Sequence, residues 1–146
     1  MGTARDLVVA RLKPEEGYEQ FPYDDATGKR VRAPVGNITW LYGCNLETSG
    51  SPELATLVLG WQVDQVEKQL LPLAWYSALD DVRKSVCLDI AFNGGVAGLL
   101  HYPHMIAALS RQDWPTASQE CAVADPKLDA SRYAPLRQLL LVGGMT

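Results

Sequence analysis

The sequence predicts an α+β protein that is mostly helical, with a small antiparallel sheet in its N-terminal third. Glycine, proline, aromatic and β-branched residues are concentrated between residues 18 and 50, a composition typical of short strands joined by turns. Beyond that stretch, apolar residues recur at helical spacing, and capping residues, glycines or prolines bound each periodic segment. The 146 residues are enough for one compact domain with its own core.

The first predicted element is a helix with acidic residues at its end. Thr3 is a suitable N-cap, and Pro14 is expected to limit the helix because proline lacks an amide donor and crowds the preceding turn. Glu15 and Glu16 therefore stand at a helix end, directly before Gly17.

A long helix is predicted after the strand region. Ser51-Pro52-Glu53 supplies a capping serine, a proline at the first helical position and an acid in the first turn, and Pro72 bounds the segment. Leu79-Asp80-Asp81 opens the next helix, which Asn93-Gly94-Gly95 is expected to end. Shorter helices are expected at 103–111, 115–124 and 131–142. The domain thus divides into a sheet lobe at about 13–50, a connecting helix at 51–71 and a helical lobe at 73–146.

Charge and hydropathy exclude some classes of function. The net charge of −4 argues against a nucleic-acid-binding protein, which usually presents a basic face. The apolar run at residues 7–10 is too short for a signal-peptide core or a membrane span, so synthesis in the cytoplasm is expected and membrane insertion is not. Action outside the cytoplasm would then require release by another factor.

Cysteine and tryptophan side chains are expected mainly in the core. The three cysteines are widely spaced, which is typical of neither a disulfide framework nor a zinc site. Cys87 and Cys121 fall in apolar helical patterns that predict burial, and Trp61, Trp75 and Trp114 lie in helical or pre-helix contexts that predict the same.

Two carboxylates and a hydroxyl indicate acid–base chemistry. A glycoside hydrolase needs one acid to protonate a leaving oxygen, and one base with a helper to hold water. A general acid needs apolar burial to favour its protonated form, a role that suits Glu16 at a helix end facing a cleft. Asp25 in a polar turn suits the base, with Asp24 as its nearest competitor, and Thr39 on the next strand suits the helper. Acidic pairs near turns are usually only solvated, but the glycines and aromatic residues around this pair favour catalysis.

These residues belong to a longer pattern. Glu16-Gly17 is followed by Tyr23-Asp24-Asp25 and then by Thr39-Trp40-Leu41-Tyr42-Gly43. The pattern resembles that of the phage-lysozyme family of muramidases (endolysins), which reads Glu-Gly, then Tyr-x-Asp, then Thr-x-Gly-x-Gly, with the same spacing from Glu to Asp. The resemblance continues in order at 77–84, 89–95, 95–99, 112–114 and 131–143, so it covers most of the chain.

The resemblance implies a lysozyme-like two-lobed fold and hydrolysis of the β-1,4 bond between N-acetylmuramic acid and N-acetylglucosamine in peptidoglycan. It implies that Glu16 is the general acid, that Asp25 and Thr39 hold or activate water, and that the anomeric centre is inverted. It further implies substrate contacts by Asn45, Phe92 and Asn93. The enzyme would need no cofactor or metal. It would act as a monomer on the glycan strands of the host wall, in the periplasm, after release by a holin-type leak.

Three departures from the family pattern leave alternatives open. Leu41 stands where the family usually has glycine, and Cys44 replaces a residue that is often polar or basic. Between Asp25 and Thr39 the chain is longer, and the extra turn carries Lys29, Arg30 and Arg32. A solvated hairpin tip is a more ordinary interpretation of that basic turn than a loop that faces substrate.

The same residues allow three alternatives to the muramidase. A lytic transglycosylase uses a single acid and forms an anhydro product without water. A catalytically impaired peptidoglycan-binding protein on the same fold is kept open by Leu41 and Cys44. A cysteine peptidase built from Cys44 with His101 or His104 lacks any local third group, and Pro103 between the histidines breaks the helical presentation that a metal site would need.

Overall fold

The computed structural model describes residues 2–31, 36, 39–40, 44–45, 50–121 and 130–144, with the backbone alone for residues 39, 40, 44, 130 and 131. Within those ranges the chain forms seven helices and two pairs of short antiparallel strands. The prediction of a mostly helical α+β fold is therefore confirmed.

The first helix, α1, spans Ala4–Glu16 and begins with a reciprocal cap. Thr3 Oγ1 accepts a hydrogen bond from the Asp6 amide at 3.3 Å, and Asp6 Oδ2 accepts one from the Thr3 amide at 3.1 Å. Two donors that the helix itself leaves unsatisfied are thereby paired.

The end of α1 confirms the placement of Glu15 and Glu16 at a helix terminus, but Pro14 shortens the helix less than predicted. Pro14 lies inside the last turn, and it costs α1 only the hydrogen bond that its missing amide would have made. The Gly17 amide still donates to the Lys13 carbonyl at 3.2 Å, and Gly17 ends the helix with φ at 73°.

The predicted small sheet consists of two separate antiparallel pairs within the described residues. Strand β1 (Tyr23–Asp24) pairs with β2 (Lys29–Arg30), and β3 (Thr39–Trp40) pairs with β4 (Cys44–Asn45). Each strand has only two residues, so neither pair has enough area to bury a face of its own.

The connecting helix, α2, spans Pro52–Leu70 as predicted, with Ser51 Oγ accepting from the Leu54 amide at 3.2 Å. Gly60 inside α2 is buried, and a Cβ there would collide with the guanidinium of Arg5. The glycine therefore lets the Arg5 side chain cross α2, where its Nε donates to Asp64 Oδ1 at 2.7 Å. A short helix that the sequence pattern did not predict, α3 (Ala74–Ser77), follows.

The helix α4 spans Asp81–Leu100 and extends beyond its predicted end. Asp80 caps it, and Gly95 interrupts it with φ at 72° and ψ at 164°. The chain thus leaves helical geometry at the predicted glycine, but one residue in this conformation only kinks the helix, which resumes to Leu100. The remaining helices are α5 (Pro103–Ser110), α6 (Trp114–Glu120) and α7 (Ala130–Val142), close to the predicted segments.

The core lies where α1 packs against α2 and α4, and where α5, α6 and α7 pack together beside α4. Cys87 and Cys121 are fully buried there, as predicted, while Trp75 and Trp114 are partly buried against the core. The prediction for Trp61 is wrong, because its side chain is 61% exposed. The buried face of α2 carries Gly60 and Val63. Consecutive helical residues point about 100° apart, so Trp61, which is adjacent to Gly60, lies off that face.

No helix among the described residues has the length and apolar content needed to cross a membrane.

Candidate active site

A cleft of about 670 Å³ opens between the end of α1, the segment at 17–23 that follows it, and the first half of α2. Phe92 of α4 closes part of the cleft from a third element. The sequence produces this arrangement because Gly17 turns the chain out of α1, while Ser51 and Pro52 start α2 on the opposite wall.

Aromatic rings and a few polar side chains line the cleft. Tyr18 and Tyr23 are 45% and 48% exposed, and Phe21 and Phe92 lie half-buried beside them. The guanidinium of Arg30 lies 3.6 Å from the centre of the Phe21 ring, which attaches the β1–β2 hairpin to the cleft wall. A largely apolar cleft whose polar side chains can orient a ligand is the usual form of a small-molecule site.

Two of the residues predicted for the site meet in this cleft. Glu16, the last residue of α1, and Phe92, in the middle of α4, both line it. The Glu16 side chain is exposed, so the apolar burial expected around a general acid is not present there.

The partly buried carboxyl at this helix end is that of Glu15. Burial, followed by the negative charge of Asp89, raises the pKa of Glu15, although Arg132 and Arg11 act in the opposite direction. Arg132 Nη2 lies 2.8 Å from Glu15 Oε2, and the Glu15 side chain is 34% exposed. Glu15 does not line the cleft, since adjacent residues of a helix point about 100° apart.

A buried carboxylate, Asp89, connects Glu15 to the core. Asp89 is 1% exposed, and its two oxygens accept from Arg11 Nε at 3.0 Å and from Arg132 Nη2 at 3.3 Å. Arg11 also donates to the carbonyl of Ser85 at 2.7 Å and to its hydroxyl at 3.2 Å. The sequence interpretation missed this network. The signal was an aspartate between Leu88 and Ile90, in a stripe that is otherwise apolar.

The two aspartates at the end of β1, Asp24 within the strand and Asp25 directly after it, have different surroundings. Asp24 Oδ1 accepts from the amides of Ala26 and Thr27 at 2.9 and 3.2 Å, so this carboxylate is engaged in the hairpin turn. Asp25 is exposed, and it makes no hydrogen bond or ion pair with the residues that the structure describes. Asp25 lies outside the cleft that Glu16 lines, on the hairpin whose strand residue Tyr23 borders it.

Thr39 and Asn45, also predicted for the site, lie opposite each other in the β3–β4 pair. Asn45 is half-buried, whereas the side chain of Thr39 lies outside the described part of the chain. Of the three departures from the family pattern, Leu41 lies outside the described residues and Cys44 is described by its backbone alone, while Lys29 and Arg30 of the longer turn are exposed.

Asn93, the remaining predicted contact, does not line the cleft. Its side-chain amide donates to the carbonyl of Asp89 at 2.9 Å, one turn back along α4. The amide therefore supports the last regular turn before the kink at Gly95.

His101 and His104 are exposed near the junction of α4 and α5. Among the described residues, no group of three or more histidine, cysteine, aspartate and glutamate side chains is placed to hold a metal ion.

Comparisons of the chain with family models, with curated proteins and with solved structures find no match. Function is therefore inferred from the residues of the cleft and from the motif resemblance.

Proposed function

We propose that this protein is a muramidase that hydrolyses the β-1,4 bond between N-acetylmuramic acid and N-acetylglucosamine in peptidoglycan, with Glu16 as its general acid. The observation that carries the proposal is the position of Glu16, at the end of a helix and in the wall of an aromatic-lined cleft. The flat apolar faces of sugar rings pack on aromatic side chains, and the rings of Tyr18, Phe21 and Phe92 supply such a surface.

The chemistry assigned to Glu16 depends on a filled cleft. A glycan strand in the cleft would cover the Glu16 carboxyl, and a carboxyl removed from water favours the protonated form that a general acid requires. The proton then passes to the glycosidic oxygen as the bond to the leaving sugar breaks.

Asp25 is assigned to the attacking water, with Thr39 as its helper. The exposed carboxylate of Asp25, which no described residue binds, supports this role, because Asp24 is already engaged in the turn. In an inverting enzyme the two carboxyl groups stand roughly 6.5–9.5 Å apart, so that a water molecule fits between Asp25 and the sugar. The protein would act as a monomer on the cell wall in the periplasm, after a holin-type release, and would cause lysis.

A lytic transglycosylase is the second candidate. It is favoured by one observation, namely that Glu16 lines the cleft while Asp25 does not. A transglycosylase needs a single acid, because the sugar's own hydroxyl replaces water as the nucleophile. Released fragments distinguish the two enzymes, since hydrolysis leaves a reducing muramic end and transglycosylation leaves an anhydro end.

The test compares Glu16→Gln with a matched control. Glu120 is also the last residue of a helix, α6, and it does not line the cleft, so Glu120→Gln removes an equivalent charge elsewhere. We expect wild type and Glu120→Gln to clear permeabilised Gram-negative cells, and Glu16→Gln to lose at least about 100-fold in rate while staying folded. Full activity in Glu16→Gln would contradict the assignment, and binding to the wall without clearing by wild type would indicate a catalytically impaired protein.

A further inference from the structure

The last turn of α1 is weak by its own sequence. Pro14 removes one hydrogen bond from this turn, and Glu15 and Glu16 place two negative charges at the negative end of the helix dipole. Lys13 is the one basic residue of that turn, and Gly17 follows with no side chain to pack. Since Glu16 lies on this turn, an uncompensated repulsion at the neighbouring Glu15 would easily displace it from the cleft.

The compensating charge for Glu15 comes from Arg132 of α7. Arg132 Nη2 lies 2.8 Å from Glu15 Oε2 and 3.3 Å from Asp89 Oδ1, so one guanidinium joins α1 to α4. On the other side of Asp89, Arg11 Nε holds Oδ2 at 3.0 Å. Arg11 and Glu15 are one helical turn apart on the same face of α1. Arg11 binds Asp89 directly, whereas Glu15 is linked to it only through Arg132.

Arg132 lies between two negative charges, those of Glu15 and Asp89. Glu15 and Asp89 repel each other, and Asp89 is almost completely buried, where charges interact more strongly than in water. Without Arg132, Glu15 would relieve its repulsion with Asp89 by moving away from α4. Glu16, the next residue of the helix, would move with it.

We propose that Arg132 is a positioning residue that holds the last turn of α1 against α4 through Glu15, and thereby keeps Glu16 at the cleft. The part that concerns Glu16 rests on the proposed muramidase function, whereas the fastening of α1 does not. Arg132 does not line the cleft, so its effect on the reaction would be indirect.

The fastening is tested by amide hydrogen exchange. We expect Arg132→Gln to speed exchange at the amides of Glu16 and Gly17. Arg137→Gln is the matched control, because Arg137 is also on α7, but its Nε donates to the Cys121 carbonyl at 3.0 Å and it has no hydrogen bond or ion pair with the described residues of α1. Unchanged exchange in Arg132→Gln, or equal acceleration in both variants, would overturn the proposal whether or not the protein is an enzyme.

The effect on the reaction is tested by steady-state turnover of peptidoglycan. We expect Arg132→Gln to lower kcat by about 10- to 100-fold with KM nearly unchanged, because a small displacement of the acid affects chemistry more than binding. Arg137→Gln should keep the wild-type kcat.

A double variant separates positioning from general destabilisation. In Arg132→Gln/Glu15→Gln the repulsion between residue 15 and Asp89 is absent, so we expect most of the lost kcat to return. A kcat that stays at the level of Arg132→Gln alone would contradict the proposed route through Glu15. Turnover that does not depend on Glu16 would instead contradict the muramidase assignment, and the exchange experiment would still decide the fastening.

Discussion

The guanidinium carbon of Arg83 lies 3.7 Å from the centre of the Trp114 indole ring, a contact that joins α4 to α6. The same guanidinium donates to the carbonyls of Leu140 and Leu141 at 3.0 and 3.3 Å and to the carboxylate of Asp80. The last carbonyls of a helix have no partner within it, so Arg83 satisfies the end of α7 from another helix.

Replacement of Arg83 should therefore be strongly destabilising. Arg83 is 6% exposed, and Arg83→Ala would leave two carbonyls and the Asp80 carboxylate short of a donor. We expect the free energy of unfolding to fall by about 2–4 kcal/mol, measured by urea denaturation with an unchanged m-value. Arg83→Lys should recover only part of the loss, because an ammonium cannot bond both carbonyls and stack on the indole. A loss below about 1 kcal/mol in Arg83→Ala would show that water replaces these contacts.

Two glycines of α4 should respond to alanine in opposite directions. Gly98 lies in the resumed helix with no other heavy atom within 4 Å of an added Cβ, so Gly98→Ala should stabilise the protein by about 0.5–1 kcal/mol. Gly95 has the same open surroundings but a φ of 72°, so Gly95→Ala should destabilise it by about 1 kcal/mol. Thermal unfolding of the two variants measures the difference. Equal shifts would mean that the kink at Gly95 straightens at little cost.

The stability of the protein should depend on the protonation of Glu15. Burial, and then repulsion by Asp89, raise the pKa of Glu15 above its ordinary value of 4.5. The folded protein therefore holds this proton more tightly than the unfolded chain does. The stability contributed by Glu15 is present below about pH 4.5 and is lost as the pH rises through the raised folded-state pKa. Glu15→Gln resembles the protonated form, so its Tm should improve relative to wild type between about pH 4 and pH 7. A Tm difference that is constant over this range would contradict the shift.

The adjacent aspartates Asp24 and Asp25 should separate stability from activity. Asp24→Ala removes the acceptor for two turn amides and should lower the free energy of unfolding by about 0.5–1 kcal/mol. Asp25→Ala removes an exposed carboxylate with no bond to a described residue, and it should leave Tm unchanged. Under the proposed function, Asp25→Ala should slow peptidoglycan hydrolysis by about 100-fold or more. An active Asp25→Ala variant that releases anhydro ends would favour the transglycosylase.

Helix starts were predictable because they depend on neighbouring residues. The side chains of Thr3, Ser51 and Asp80 each accept from the amide three positions ahead, a relationship contained in a few consecutive residues. The end of α1 at Gly17 and the kink at Gly95 are local for the same reason, since both glycines take a positive φ.

The prediction for Trp61 failed because burial is decided by which helix face meets the core. Apolar residues occur on more than one side of α2, and the sequence pattern does not say which side packs on α1 and α4. The crossing of Arg5 over Gly60 toward Asp64 is compatible only with the side of α2 that faces α1, and it joins residues 59 positions apart.

The sequence alone predicted the mostly helical class, the helix caps, and a carboxylate at the end of α1 before a turn. Only the folded structure decided that Glu16 lines the cleft with Phe92 while Glu15 turns toward Arg132 and the buried Asp89. The reason is physical: capping and turn formation are energies of adjacent residues, whereas the environment of a carboxyl depends on helices that meet across distant parts of the sequence.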